Sequence, residues 1–341
     1  MPGLDSQTAW GKLGSKTYRR LLSALGVLIF GAILYYGGVE ALRRVASVNL
    51  WYLACAFVGA GVAAVVTSLR WGLIVDALEG PSARSRLHYF YYVMMGKISS
   101  TFVSQYVGDY GVRPLALKAS GATSMGRAFY SVLLDRVFDL MLSLLFLVPG
   151  SLYLAGVVSA EVFGVLVVVF VGGYWAVMAR NHHLVADLLG MVAGVVRGLG
   201  RRTTVGKGLL DRVATIVEGA RTGFEQVGRR CINAANLLTL CRYLAMAVRA
   251  YFVALALGLC IPFWLVFLAV GLVRFTLLFA IAPGRLGVLE VGWFGVLALG
   301  GVDSAAIVPF LIGLRVYGLV FNAILALAAH LAVTLRANKA R

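Results

Sequence analysis

The sequence has 341 residues, of which 61% are hydrophobic and only 13% are charged. A water-soluble chain carries about 25% charged residues, so this composition excludes two aqueous domains and also the disordered, fibrous and disulfide-stapled classes. The net charge of +17 does not indicate a nucleic-acid partner, because the Lys and Arg residues are spread over the ends of apolar runs instead of forming one patch.

Apolar runs long enough to cross a hydrocarbon layer of about 30 Å predict an all-α, polytopic membrane protein with about six full spans. In chain order, the predicted spans are residues 21–39, 50–69, 129–155, 160–178, 235–258 and 304–333. Two further apolar segments, 88–106 and 262–301, are predicted to be re-entrant or broken helices. Basic residues flank the first of these segments on both sides, which favours a hairpin, but two full crossings in the second segment stay an alternative.

Basic residues cluster before the first span, between residues 180 and 233, and at the C-terminus. The positive-inside rule predicts that these three regions, and therefore both termini, face the cytosol. A helical pattern of apolar residues between 209 and 227 predicts an amphipathic linker helix in the central region. We interpret residues 1–341 as a single transmembrane domain with this linker, 180–233, between its halves.

The two halves match each other at offsets of 176 and 179 residues, which predicts repeat halves at 50–155 and 235–333. The central linker and the C-terminus are both expected in the cytosol, so the second half is expected to run in the opposite direction, as in many secondary transporters. The matched segments are Gly108-Asp109-Tyr110-Gly111-Val112 with Gly284-Arg285-Leu286-Gly287-Val288, Arg136 with Arg315, and Arg70 with Arg249.

Ionisable residues within apolar segments are the candidate site, because a charge in hydrocarbon costs about 2.5–3.5 kcal/mol on insertion scales. Such residues need an opposite charge, water or a function. The charged candidates for holding a phosphate or carboxylate are Asp109, Arg113, Asp135, Arg136, Asp139, Arg285, Glu290 and Arg315. Glycines that would let the backbone approach a ligand are Gly108, Gly111, Gly284 and Gly287. The alternative is that these charges pair internally, Asp109 with Arg113 and Arg285 with Glu290, and fix the turns. Asp135 and Asp139 are four residues apart and share one helical face. Arg315 has no acidic neighbour closer than Asp303 in the sequence and is expected to need an anion from another element.

Three further arginines, Arg242, Arg249 and Arg274, also lie in apolar runs and would have to pair or extend towards water. No motif for nucleotide hydrolysis or metal binding is present, so no cofactor and no metal are expected. An enzyme is therefore less expected than a transporter.

The stretch 99–117, the helix around Asp135 and Arg136, and the run Pro283-Gly284-Arg285-Leu286-Gly287-Val288-Leu289-Glu290 followed by Arg315 resemble one known family. It is the lysylphosphatidylglycerol synthetase transmembrane-region family, also called the flippase-like domain family, and the resemblance covers nearly the whole chain. It implies a domain of the bacterial inner membrane that moves or presents a lipid. The lipid would be an anionic or aminoacylated phospholipid, a hopanoid-type lipid or a polyprenyl-linked sugar.

Family members that synthesise lysylphosphatidylglycerol carry an additional soluble aminoacyl-transferase domain. The chain printed here does not include one, so we expect transport without synthesis, with a separate synthase or transferase as a partner. Two alternatives stay open at this point. One is a membrane-embedded glycosyl- or phospho-transferase, or the scaffold that presents its lipid, and the other is an ion-coupled carrier for a small anion.

Overall fold

The structure, a computed structural model, describes residues 31, 35, 41–80, 85–103, 108–121, 123–180, 183–202, 207–276 and 286–339, and this part of the chain is helical without strands. The all-α prediction is therefore confirmed. The helices are α1 (Leu50–Glu79), α2 (Arg86–Phe102), α3 (Arg113–Ala119), α4 (Met125–Leu154), α5 (Ala160–Arg180), α6 (Leu184–Arg202), α7 (Lys207–Gln226), α8 (Arg229–Ala256), α9 (Phe263–Thr276), α10 (Val288–Leu299) and α11 (Ser304–Lys339). A π-helical turn, Gly108–Val112, precedes α3.

Five helices among the described residues, α1, α4, α5, α8 and α11, are long and apolar enough to cross a membrane. They correspond to five of the predicted spans, and the first predicted span, 21–39, lies outside the described residues except for positions 31 and 35. Helix α1 continues from its predicted end at residue 69 to Glu79, because Arg70 is buried between helices and does not end the span. The segment 262–301 contains two short helices, α9 and α10, and whether either broken segment is re-entrant stays a prediction.

Local capping interactions determine where the helices of the site begin. Asn49 Oδ1 accepts a hydrogen bond from Trp51 N at 3.0 Å at the start of α1. At the start of α10, Gly287 has a φ of +80°, which favours glycine. Its N–H donates to Glu290 Oε2 at 2.8 Å. These caps fix the first residue of α1 and of α10 and thereby the distance of Arg70 and Glu290 from the start of each helix.

Contacts between the two predicted halves form the core of the bundle. Helix α1 packs along α8, α2 packs against α11, and α9 packs against α4. Each of these pairs joins one helix of residues 50–155 to one helix of residues 229–339. Two related halves would produce such reciprocal contacts, in which the broken segment of each half packs against the last long helix of the other half. The repeat and its inverted direction stay predictions. The linker forms a hairpin of α6 and α7, in which α7 corresponds to the predicted amphipathic helix and also contacts α4.

Gly59 allows the backbones of α1 and α8 to approach closely. A Cβ atom at Gly59 would lie 3.2 Å from both Ala245 O and Arg249 N, which are backbone atoms and cannot move aside. Small residues permit this kind of contact between helices in a membrane, where van der Waals packing supplies much of the association energy. Gly59 therefore sets the distance between the two central helices.

Arg70 joins three helices through a fully buried set of hydrogen bonds. Its Nε donates to Asp135 Oδ1 at 2.8 Å, its Nη1 donates to Asp139 Oδ1 at 2.8 Å and to Thr239 Oγ1 at 2.7 Å, and its Nη2 donates to the backbone carbonyl of Asp135 at 3.0 Å. Every nitrogen of the guanidinium group is satisfied, so Arg70 holds α1, α4 and α8 together and has no donor nitrogen without a partner.

We predict that Gly59→Val destabilises the bundle, whereas Gly61→Val on the same helix leaves it unchanged. The added side chain at Gly59 would overlap the backbone of α8 and lower the free energy of unfolding by about 1–3 kcal/mol. A Cβ at Gly61 would lie 4.0 Å from Leu325 Cδ2, an ordinary contact. The thermal midpoints of the two variants in detergent measure the difference, and equal midpoints would contradict the close packing of α1 on α8.

We predict that Asp135→Asn costs about 3–5 kcal/mol of stability, because it leaves a buried cation without its full counter-charge. Asp135 is fully buried and contacts Arg70 at 2.8 Å and Arg113 at 3.2 Å. The same substitution at Asp76, whose pair with Arg86 is partly exposed, should cost about 0–1 kcal/mol. Combining Arg70→Gln with Asp135→Asn should cost less than the sum of the single changes, and strict additivity would argue against the buried pair.

Candidate functional site

A cavity of about 630 Å³ lies between α1–α4 and α8–α11. This volume falls within the range of about 300–1,000 Å³ that is typical of ligand sites. Among the charged residues that line the cavity, Asp109 is the single acid within the described part of the chain. The others are cations: Lys97, Arg113, Arg136, Arg242, Arg249, Arg274 and Arg315.

The cavity lies near the middle of the spanning helices. Arg242 occupies the centre of α8, a helix of 28 residues, and at 1.5 Å per residue each end of α8 is about 20 Å away. Arg136 and Arg315 lie well inside α4 and α11. Arg136, Arg242 and Arg315 are therefore far from the ends of their helices, where charged side chains usually reach water. Arg113 and Arg274, in contrast, lie at the start of α3 and in the last turn of α9, two short helices of the same cluster.

The rim of the cavity includes exposed apolar side chains. Leu42, Val316 and Leu319 line the cavity and are 51%, 39% and 41% exposed. Because exposed apolar side chains on a spanning bundle face lipid, the cavity combines a charged interior with an apolar opening.

The structure brings together the five charged candidates of the first half. Asp109, in the π-helical turn, contacts Arg136 Nη2 at 2.6 Å, while Arg113 Nη1 lies 4.0 Å from it. The expected pairing of Asp109 with Arg113 is thus the weaker contact. Arg113 instead contacts Asp135, and its guanidinium carbon lies 4.3 Å from the centre of the Trp71 ring.

Asp139 is the carboxylate with the largest number of cationic neighbours in the described part of the chain. Besides Arg70, it accepts hydrogen bonds from Arg242 Nη1, with 2.6 Å to its Oδ2. Arg136 lies 3.2 Å and Arg274 lies 3.5 Å from the same oxygen. Sequence spacing predicted that Asp135 and Asp139 share one face of α4, and both indeed contact Arg70.

In the second half, Glu290 and Arg315 form an ion pair. Arg315 Nη2 lies 3.0 Å from Glu290 Oε1, and the other oxygen of Glu290 caps α10 through Gly287. Glu290 thus supplies the anion that Arg315 was expected to need from another element. The sequence also paired Glu290 with Arg285, but Arg285 and Gly284 lie outside the described residues.

Gly108, one of the two candidate glycines of the first half, packs directly against helix α2. A Cβ atom there would lie 2.5 Å from the backbone nitrogen of Ser100, so Gly108 permits close contact with α2. Gly111 lies in the same π-helical turn. Ser100 of α2 thus fills the space on the Cβ side of Gly108, and approach of a ligand to the backbone at Gly108 stays a prediction.

Two cations of the cavity, Lys97 and Arg249, form no side-chain hydrogen bond or ion pair with any residue that the structure describes. Sequence reasoning missed Lys97 altogether, although a lysine within the apolar and aromatic stretch 88–106 was an available signal. It considered Arg249 only as a side chain that pairs or extends to water. Both side chains are partly exposed and line the cavity.

In the predicted repeat, Arg249 corresponds to Arg70, but among the described residues no acid pairs with Arg249. Its counterpart, Arg70, is held by Asp135 and Asp139. At the offset of 179 residues, these two carboxylates correspond to Leu314 and Gly318, which also line the cavity. The second half therefore has an arginine at the matching position without the acids that neutralise it in the first half.

The cluster around the cavity carries an excess of positive charge. Within the described residues it contains eight cations, the seven that line the cavity and Arg70, but only four carboxylates: Asp109, Asp135, Asp139 and Glu290. Counted with every Lys and Arg protonated and every Asp and Glu ionised, the formal excess is four positive charges. Additional donor capacity remains on Arg113 Nε and Nη2 and on Arg136 Nε, which have no hydrogen-bond partner among the described atoms. The arrangement can bind an anion, and no group of His, Cys, Asp or Glu in the described ranges could hold a metal ion.

Comparisons with known proteins agree with the membrane architecture. No curated protein and no solved structure matches the chain. A family model described as the lysylphosphatidylglycerol synthase transmembrane region matches residues 23–326. Since this match covers most of the chain, including every helix that lines the cavity, the protein is an integral membrane protein of lipid-related function and belongs to the lysylphosphatidylglycerol synthase transmembrane-region family.

Proposed function

We propose that the protein is a lipid translocase that binds an anionic headgroup in the central cavity and moves or presents it across the bacterial inner membrane. The observation that carries this proposal is the presence of Lys97 and Arg249 in the cavity without an acidic partner among the described residues. The family match supports a lipid-related substrate.

The energetic argument starts from the cost of isolated charge. A cation between apolar helices is costly unless water or an anion compensates it. A phosphate oxygen forms charge-assisted hydrogen bonds with lysine and arginine, and such bonds are shorter and about twice as strong as neutral ones. A bound phosphate would therefore stabilise Lys97 and Arg249 together.

The apolar rim supports a lipid as the source of this phosphate. A headgroup could enter the cavity past Leu42, Val316 and Leu319 while its apolar chains stay in the hydrocarbon outside. The phosphate would then pass the middle of the bilayer beside cations, instead of crossing bare hydrocarbon, where an uncompensated charge is strongly unfavourable.

The carboxylates have a positioning role in this proposal. Asp109 holds Arg136 at 2.6 Å and Glu290 holds Arg315 at 3.0 Å. Asp135 and Asp139 hold Arg70 between them. The headgroup would be bound by Lys97 and Arg249, with Arg113, Arg136 and Arg315 contributing positive potential around it.

We predict that Arg249→Gln and Lys97→Gln each reduce the rate of headgroup movement at least tenfold, because each removes one charge-assisted bond of about 1.5–3 kcal/mol. The measurement is the movement of fluorescently labelled phosphatidic acid and phosphatidylglycerol, tested separately, between leaflets of vesicles that contain the purified protein. Arg249→Lys and Lys97→Arg keep the charge and should retain most of the rate.

Control variants that remove an exposed cation distinguish the loss of a charge in the cavity from the loss of a charge elsewhere on the protein. Arg230, on the same helix as Arg249, and Lys118 are exposed, so Arg230→Gln and Lys118→Gln should keep the wild-type rate. Wild-type movement in both cavity variants would contradict the proposal. Formation of a modified lipid without movement would instead indicate a transferase, and gradient-driven uptake of inorganic phosphate would indicate a small-anion carrier.

A further inference from the structure

We infer that the headgroup carries at least two negative charges, as a phosphomonoester or a diphosphate does, and that headgroups with a free amine are rejected. This inference rests on the proposed function, because it assigns the chemical class of the substrate to the same cavity. It depends on the charge balance of the cluster and on the contacts of its four carboxylates.

The charge balance requires more than one negative charge from the ligand. The described residues of the cluster leave an excess of four positive charges. A phosphodiester such as phosphatidylglycerol supplies a single negative charge and would leave most of this excess uncompensated. A phosphomonoester or a diphosphate compensates more of it, and its additional oxygens provide separate acceptors for Lys97 and Arg249.

Lys97 experiences this excess directly. It lines the same cavity as Arg242, Arg249 and Arg274, which carry a like charge. Asp109 is the one acid of the described lining, and Arg136 already contacts Asp109 at 2.6 Å. An anion with several oxygens could lie between Lys97 and these arginines and reduce their repulsion.

The same contacts pair each of the four described carboxylates with an arginine, so the side-chain acceptors that remain in the described lining, such as those of Ser100 and Asn322, are neutral. Asp109 is bound to Arg136 and Asp135 to Arg70, both at less than 3 Å. Asp139 accepts from Arg70 and Arg242, and Glu290 accepts from the N–H of Gly287 and contacts Arg315. To reach a charged acceptor, an amine that entered the cavity would have to displace an arginine from its carboxylate, and it would also add positive charge where positive charge is already in excess.

Two aromatic rings of the cluster are also in contact with guanidinium groups. Arg113 lies over the Trp71 ring at 4.3 Å and Arg274 lies 5.7 Å from the centre of the Tyr243 ring. Aromatic faces of this kind are the usual alternative site for an organic ammonium group. An arginine lies over each of these two rings, which are not part of the cavity lining, whereas the Trp293 ring lines the cavity. The rejection of amines therefore depends on the excess of positive charge.

Lysylphosphatidylglycerol, the lipid in the family's name, is a poor match to this cavity. It carries two ammonium groups and one phosphate, so its net charge is positive. We therefore expect this chain to select a different headgroup from the one that gives the family its name.

A competition experiment tests the inference on the full-length protein in detergent micelles. Five ligands displace a fluorescent phosphatidic acid: diacylglycerol diphosphate, phosphatidic acid, phosphatidylglycerol, lysylphosphatidylglycerol and inorganic diphosphate. The lipid diphosphate and phosphatidic acid should bind at least about tenfold more tightly than phosphatidylglycerol, because they offer additional charge-assisted bonds. Lysylphosphatidylglycerol should bind most weakly among the four lipids.

The variants assign this preference to the cavity. Arg249→Gln and Lys97→Gln should reduce the ratio between the affinities for lipid diphosphate and phosphatidylglycerol, and Arg230→Gln should leave the ratio unchanged. A purely structural role of Arg249 or Lys97 would lower both affinities equally and would overturn the assignment to these residues.

The outcomes separate this inference from the proposed function. The inference would be overturned if phosphatidylglycerol or lysylphosphatidylglycerol bound as tightly as phosphatidic acid, or more tightly. If Arg249→Gln still stopped lipid movement in that case, the translocase proposal would stand. Absence of binding and movement for every lipid would overturn the translocase itself. Inorganic diphosphate should compete at least about tenfold more weakly than the lipid, because it has no apolar chains to bury, and equal competition would overturn the assignment to a lipid.

Discussion

A charged side chain between apolar helices requires a compensating charge, and this requirement organises the bundle. Arg70 meets it within the protein, because Asp135 and Asp139 accept its hydrogen bonds at 2.8 Å. Lys97 and Arg249 do not meet it among the described residues, and both line the cavity. The same physical rule therefore accounts for the packing of α1, α4 and α8 and underlies the proposed binding of an anion in the cavity.

The difference between the predicted repeat halves is chemical as well as geometric. The first half places two carboxylates beside its arginine, which produces a neutralised centre that holds helices together. The second half has Leu314 and Gly318 at the matching positions, and Arg249 therefore faces the cavity without them. In the predicted repeat, the absence of these acids from the second copy would turn a stabilising contact into part of the proposed binding site.

Apolar run length was sufficient to predict the class of fold, because the bilayer requires long helices whose backbone groups are satisfied internally. It was insufficient at the end of α1, where a buried arginine continues the helix. Spacing along α4 correctly placed Asp135 and Asp139 on one face. It could not identify their shared partner, because Arg70 reaches them only when α1 packs against α4. The pairing of Glu290 with Arg315 likewise depends on the packing of α10 against α11. Lys97 becomes a candidate site residue only once the folded helices place it in the cavity lining.

The backbone contact at Gly59 limits the ways in which the protein can change shape. Helices α1 and α8 meet there without an intervening side chain, and the hydrogen bonds of Arg70 tie both of them to α4. These three helices form a stiff frame. In the proposed translocase, access to the two sides of the membrane would then alternate through rearrangement of the shorter helices α2, α9 and α10 relative to this frame, with the cations of α8 held in place.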